Sequence, residues 1–284
     1  MFTLALLFTV ATVVASDEAG SRILSKPINE AGSRILSKPM GVSRIINGIE
    51  ATPYEFPHQA ALLSMGPTGG SHMCGASVIA QDWVLTAAHC VDGRTPSSLA
   101  IVVDLHDYTN PGNYIWFDID DIIMHNKYNQ GSGGFPNDVA LLKLKPNGQD
   151  ITKNIIKIAS GTSDYAGQIC TISGWGVKVD GSGASKLKKA DVSVLSKSQC
   201  VSYWGSTNIL NQHICVKGYD TTEGSGSCNG DSGGPLVCGS ELVGVTSWGF
   251  SGCHDNGVVT YPSVYARVTS FYDWINSNCG NCNV

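Results

Sequence analysis

The chain has 284 residues with 23 Asp and Glu against 18 Lys and Arg. Residues 1–44 hold five of the basic and three of the acidic side chains, so the 240 residues from Ile45 onward keep 13 basic against 20 acidic groups. That balance makes nucleic acid and anionic membranes poor partners, while ten cysteines, none before Cys74, point to a disulfide framework built in an oxidising compartment.

The first sixteen residues, MFTLALLFTVATVVAS, form an uncharged apolar run that ends in small residues. It is too short for a membrane span and reads as a signal peptide over 1–16, which predicts a secreted, extracellular product. Residues 17–44 hold the ten-residue run EAGSRILSKP twice, and Arg22, Arg34 and Arg44 each precede an isoleucine. This segment is rich in Ser, Lys, Pro and Gly and lacks aromatics and cysteine, so it reads as a poorly ordered, removable propeptide. From Ile45 the pattern changes to short apolar runs such as WVLTAA, LAIVV, VALLKL and LVGVTSW, separated by Gly, Asn, Asp and Pro turns. Short strands without long helical periodicity predict an all-β, antiparallel sandwich or barrel protein. Near the end, Thr269 or Ser270 can cap a helix over SFYDWINSN, with Phe271, Trp274 and Ile275 on one face.

The motif that carries chemistry is CNGDSGGPLVC, Cys228 to Cys238. A serine between glycines sits on a tight turn, where neighbouring N–H groups can face a developing oxyanion while the hydroxyl attacks. GDSGG also satisfies the G-x-S-x-G pattern of α/β-hydrolases, so the motif alone leaves two folds open. Chain order separates them. The only histidine after Ser232 is His254, whereas His89 in WVLTAAHC and Asp138 in NDVALLKL both lie upstream. The order His, Asp, Ser is that of chymotrypsin-like proteases. Ser232 is then the expected nucleophile, His89 its base and Asp138 the group that orients the imidazole, with the N–H groups of Gly230 and Ser232 as oxyanion hole. No metal or other cofactor is needed, and the lone C-x-x-C at the C-terminus has no second ligand pair.

TAAHC, NDVALL, SGWG, GDSGGPLVC, TSWG and YARV, in that order over residues 45–275, resemble the trypsin and chymotrypsin family. Within it, DYAGQICTISGWG, GVTSWG and YPSVY resemble the fibrinolytic proteases of annelid worms. The resemblance implies two antiparallel six-stranded β-barrels with a C-terminal helix, the peptidase domain spanning 45–284 and its halves roughly 45–150 and 151–268. It implies activation by cleavage at Arg44, after which the new ammonium of Ile45 pairs with Asp231. Ile23 and Ile35 are followed by LSKP in place of a small Asn-Gly turn, so neither is expected to insert. It also implies the pairs Cys74–Cys90, Cys170–Cys238, Cys200–Cys215 and Cys228–Cys253. Cys279 and Cys282 have no family counterpart; a small mutual loop is expected ahead of pairing with another molecule. His72, two residues before Cys74, is expected either to hold Asp231 before the cut or to be an ordinary surface histidine.

At the pocket floor, where trypsin-like members carry an aspartate, this chain has Gly226. With Ser227, Ser247, Trp248, Gly249 and Ser263 it should form an uncharged slot for apolar P1 side chains, Leu, Met, Ala or Val ahead of aromatics. Asp255, in the long segment CHDNGVVTYP, is the residue that could restore basic specificity by entering that slot. Expected partners are protein or peptide substrates, an Arg-specific activating protease and serine protease inhibitors, for a monomer acting in digestion or fibrin degradation. The rival reading is a catalytically silent, protease-like binding protein.

Overall fold

The computed structural model describes residues 45–176, 185–219, 224–255, 257–280 and 282, together with the backbone of 24–25 and 35–36. The expected signal peptide and most of the expected leader lie outside the described residues. The two described leader segments, Leu24–Ser25 and Ile35–Leu36, come from the two copies of the repeat and pair antiparallel, Leu24 opposite Leu36 and Ser25 opposite Ile35.

Twelve strands build two closed antiparallel barrels. The first contains β1 (Gln59–Gly66), β2 (Gly69–Ala80), β3 (Trp83–Thr86), β4 (Leu99–Val103), β5 (Ile115–Met124) and β6 (Ala140–Leu144), in the closed order β1-β2-β3-β6-β5-β4. The second contains β7 (Ile169–Gly174), β8 (Lys188–Leu195), β9 (His213–Gly218), β10 (Pro235–Cys238), β11 (Glu241–Trp248) and β12 (Ser263–Arg267). Its order is β11-β10-β7-β8-β9-β12, and β12 pairs back onto β11 to close it.

The two-residue period of a strand decides which core each side chain enters. In β4 every residue is buried, yet Leu99, Ile101 and Val103 point into the first barrel, with Leu85 and Leu141, while Ala100 and Val102 point outward. That outer face joins Ala61, Leu63 and Trp116 with Trp175 and Leu187 from the second half of the chain. A strand apolar on both faces is therefore the signature of the seam between the barrels.

The chain ends cross over this division. Ile49–Glu50 pairs with Lys188 and Lys189 of β8, and Ile46 pairs with Gly226, so the first residues after Arg44 belong to the second barrel. Conversely the C-terminal helix α3 (Tyr272–Cys279) contributes Ile275 to the core of the first. The expected cap is not there: Thr269 and Ser270 lie in a 3-10 turn, and Phe271 precedes the helix without a side-chain hydrogen bond. Burial of Phe271 and Ile275, 3% and 0% exposed, holds this helix instead. Two further helices are α1 (Ala88–Val91) and α2 (Lys197–Trp204). All four family pairs and Cys279–Cys282 are disulfide-bonded.

Candidate active site

The site assembles at the seam. Strand β3 is buried along its whole length, and the small residues Ala87 and Ala88 that follow allow the tight turn into α1 on which His89 sits. Disulfide Cys74–Cys90 ties that turn to β2. Asp138 opens the segment leading into β6 and is fully buried. Its approach is fixed by Asn137, which takes φ +58°, a left-handed conformation that Asn tolerates. Asn137 accordingly donates from its backbone to Gln212 Oε1 at 2.7 Å and from its side chain to the Lys127 carbonyl at 2.8 Å.

Asp138 receives three donors. Oδ1 accepts the backbone N–H of His89 at 2.9 Å, and Oδ2 lies 2.7 Å from His89 Nδ1 and accepts the Ser247 hydroxyl at 2.5 Å. Burying a carboxylate is costly unless donors meet its lone pairs, and here three do. Ser247, expected as a wall of the substrate slot, lines the cavity beside Ser232 and is also a partner of Asp138. The imidazole is part exposed, 23% for the side chain, with the Phe135 ring at 6.0 Å. His89 Nε2 faces a sulfur of the Cys74–Cys90 disulfide at 3.7 Å. Cys74, His89 and Cys90 lie close enough to suggest a metal site, but a disulfide has no thiolate to ligate.

Ser232 occupies a turn whose glycines are required by contact. Gly230 and Gly233 take φ +89° and +77°. A Cβ on Gly233 would lie 2.2 Å from Thr86 Oγ1 and 2.5 Å from the Gly75 carbonyl oxygen. The turn can therefore press against β2 and the end of β3: Gly75 N–H donates to the Ser232 carbonyl at 2.7 Å, and the Gly233 contact reaches Ala87 N, two residues before His89. The turn that carries Ser232 thus packs across the seam against Gly75, Thr86 and Ala87.

Asp231, 1% exposed, accepts Gly176 N–H at 2.8 Å on Oδ1 and Cys228 N–H at 2.9 Å on Oδ2. A Cβ on Gly174 would sit 2.2 Å from Oδ1, which is why SGWG needs its first glycine. Ile45 is 3% exposed within the core of the second barrel. Ile46 N–H donates to the Gly226 carbonyl at 2.8 Å, and Asn47 Nδ2 donates to the Gly224 and Gly257 carbonyls at 2.7 and 2.9 Å.

A cavity of about 150 Å³ opens beside Ser232, between Ser227, Cys228 and Asn229 on one side and Thr246, Ser247, Trp248, Gly249 and Phe250 on the other. A Cβ on Gly249 would meet only Ser263 Cα, at 3.9 Å, so the entrance is unobstructed. Gly226 and Ser263, expected to line the slot, stand behind its lining; Ser263 Oγ accepts Ser227 N–H at 3.2 Å. Asp255 is exposed, in a turn closed with Val258, and does not line the cavity.

His72 is buried between the Tyr108 and Trp175 rings, and burial pushes its pKa down to about 4. It is no surface histidine. Burial likewise lowers His58 and His213 to about 4. The capping box Ser196–Gln199 that starts α2, with Ser196 N–H donating to Gln199 Oε1 at 2.9 Å, was readable in SKSQ and was missed.

The Trypsin family model matches residues 45–275. The chain belongs to the trypsin family. It is similar to fibrinolytic enzyme isozyme C of Lumbricus rubellus, 38% identical over 247 residues that cover 82% of this chain and 99% of that protein. Brachyurin of Leptuca pugilator is 35% identical over 240 residues, 83% of this chain and 99% of its own. A trypsin of Squalus acanthias is 38% identical over 227 residues, 78% and 93% of the two chains. This trypsin-family protein is a serine-type endopeptidase.

Proposed function

We propose that Ser232, His89 and Asp138 are the catalytic triad and that the enzyme is a secreted zymogen cleaving after uncharged apolar residues. The observation that carries the triad is the bond of His89 Nδ1 to buried Asp138. It commits one ring nitrogen to the carboxylate and leaves Nε2, whose nearest partner is a weakly accepting disulfide sulfur, as the nitrogen that can take a proton.

Ser232 Oγ attacks the scissile carbonyl as its proton passes to Nε2. The carbonyl π electrons move onto oxygen, where the N–H groups of Gly230 and Ser232 receive the charge. As the tetrahedral intermediate collapses, the C–N bond breaks and Nε2 returns the proton to the leaving amine. Water then repeats the sequence on the acyl-enzyme, releasing the acid and restoring Ser232. Asp138 stabilises the imidazolium formed in each half, and Ser247 holds Asp138 in place.

Activation is proposed at Arg44. The burial of Ile45 and the bonds of Ile46 and Asn47 give the segment after this bond a seat in the second barrel, and Asp231 is the buried carboxylate that a new ammonium would join. A role in degrading fibrin rests on the similarity to the fibrinolytic enzyme of Lumbricus rubellus. Arg44→Gln is the test: N-terminal sequencing of the active wild-type enzyme should give Ile45, and the variant precursor should stay inactive toward peptide substrates. Active enzyme beginning at Ile23 or Ile35 would overturn the assignment.

A further inference from the structure

The cavity beside Ser232 is lined by Ser227 and Cys228 but not by Gly226, Ser263 or Val259, which stand behind that lining. The space behind the lining is filled. A Cβ on Gly226 would meet Ser263 Oγ at 3.0 Å and Val259 Cγ1 at 3.2 Å, so the volume that a side chain at 226 would take is already occupied. Ser263 serves the backbone there, accepting the Ser227 N–H. Val259 supplies the hydrocarbon. It is 3% exposed and clusters with Ile46, Cys228 and Cys253.

The loop that delivers Val259 is the one that sequence reasoning singled out for Asp255. Asp255 and Val258 exchange both backbone hydrogen bonds at 2.9 Å. His254 Nδ1 accepts Gly257 N–H at 3.0 Å, and Asn47 grips the Gly257 carbonyl at 2.9 Å. This closed turn leaves Asp255 and Val258 outside and sends the next residue, Val259, inward. The segment therefore brings a valine, not a carboxylate, against Gly226 behind the pocket lining.

We infer that Val259 is a specificity-determining residue, its γ-methyl groups plugging the end of the P1 pocket so that medium-sized aliphatic side chains fit and aromatic or basic ones do not. The inference rests on the neutral-pocket reading above and deepens it by naming the residue that limits depth. A Lys or Arg side chain reaching this end would lose its water and find methyl groups in place of a counter-charge. An aromatic ring would need room that the valine occupies. Discrimination of one methylene in an apolar pocket is typically about 10- to 200-fold, so a single methyl group here is large enough to measure.

The test compares wild type, Val259→Ala and Val259→Ile, each activated from the full precursor, on chromogenic peptides differing only in P1: Ala, Leu, Phe and Lys. Active-site titration normalises each preparation. Val259→Ala should raise the Phe:Leu ratio of kcat/KM by about tenfold or more. Val259→Ile, which only adds a methylene and keeps the residue apolar, should lower Leu relative to Ala. Ratios within about twofold of wild type in both variants, or in Val259→Ile alone if the alanine variant does not fold, would overturn the inference. A wild-type preference for Lys would instead overturn the neutral-pocket reading. Wild type preferring Leu with unmoved variants removes only the role of Val259.

Discussion

Replacing Asp138 by Asn tests the arrangement at its most specific point, because the carboxylate is surrounded entirely by donors. Its three partners are the His89 backbone N–H, His89 Nδ1 and the Ser247 hydroxyl. An amide must turn its NH2 toward one side. The backbone N–H cannot become an acceptor, whereas the imidazole can change tautomer and the hydroxyl can rotate, so the carbonyl stays on the backbone side and the NH2 takes the place of Oδ2. Nδ1 then accepts, the ring proton moves to Nε2, and the nitrogen that should take the serine proton already carries one. The expected loss in kcat is about 10⁴-fold, the value known for this substitution in the family's template enzyme, equivalent to about 5 kcal/mol of barrier. KM should change little, since the pocket lining does not include Asp138. Steady-state kinetics on a chromogenic peptide, with circular dichroism to check the fold, reads the result. A loss of less than about tenfold would refute the claim that Asp138 sets the tautomer.

Gly233→Ala should destabilise the protein by several kcal/mol and abolish activity, because the left-handed conformation costs about 1–2 kcal/mol for alanine and the new methyl group overlaps Thr86 Oγ1 and the Gly75 carbonyl. Urea denaturation in a Ser232→Ala background, which prevents self-digestion, measures the first effect. Acid should weaken the fold in a defined window. His58, His72 and His213 are buried and lowered by that burial from 6.5 to about 4, so the unfolded chain binds protons there before the native one does. Their contribution is complete above pH 6.5 and is lost as pH falls toward 4, by roughly 3 kcal/mol each at the acid end. The urea midpoint of Ser232→Ala protein should fall through that range, and His72→Phe should flatten the slope; a midpoint constant from pH 7 to 4 would contradict the reading.

Much of this architecture was legible because each signal had a local physical cause. The apolar run LAIVV is a strand buried on both faces, and WVLTAAHC is a buried strand followed by residues small enough to turn; both readings needed only neighbouring residues. The chemistry of Ser232 was legible because glycines mark positions where a Cβ cannot fit, as the contacts of Gly233 show. What escaped were relations between distant segments. Ser247 reads as a strand residue near the pocket, and nothing in its surroundings announces a carboxylate 109 positions away. Likewise the burial of Val259 depends on a turn closed through Asn47, more than two hundred residues earlier. The segment around Asp255 showed that its loop was long without showing which side chain turned inward. Thr269 and Ser270 had the right chemistry for a cap, but burial of Phe271 and Ile275 placed the helix start one or two residues further on.

The most direct measurement is covalent labelling of the activated enzyme with a serine-directed fluorophosphonate, followed by peptide mapping. The account predicts one label per molecule, on Ser232, with parallel loss of peptidase activity, and no label on the Asp138→Asn variant within the same reaction time. Active enzyme that stays unlabelled at Ser232, or that loses activity through labelling elsewhere, would contradict it.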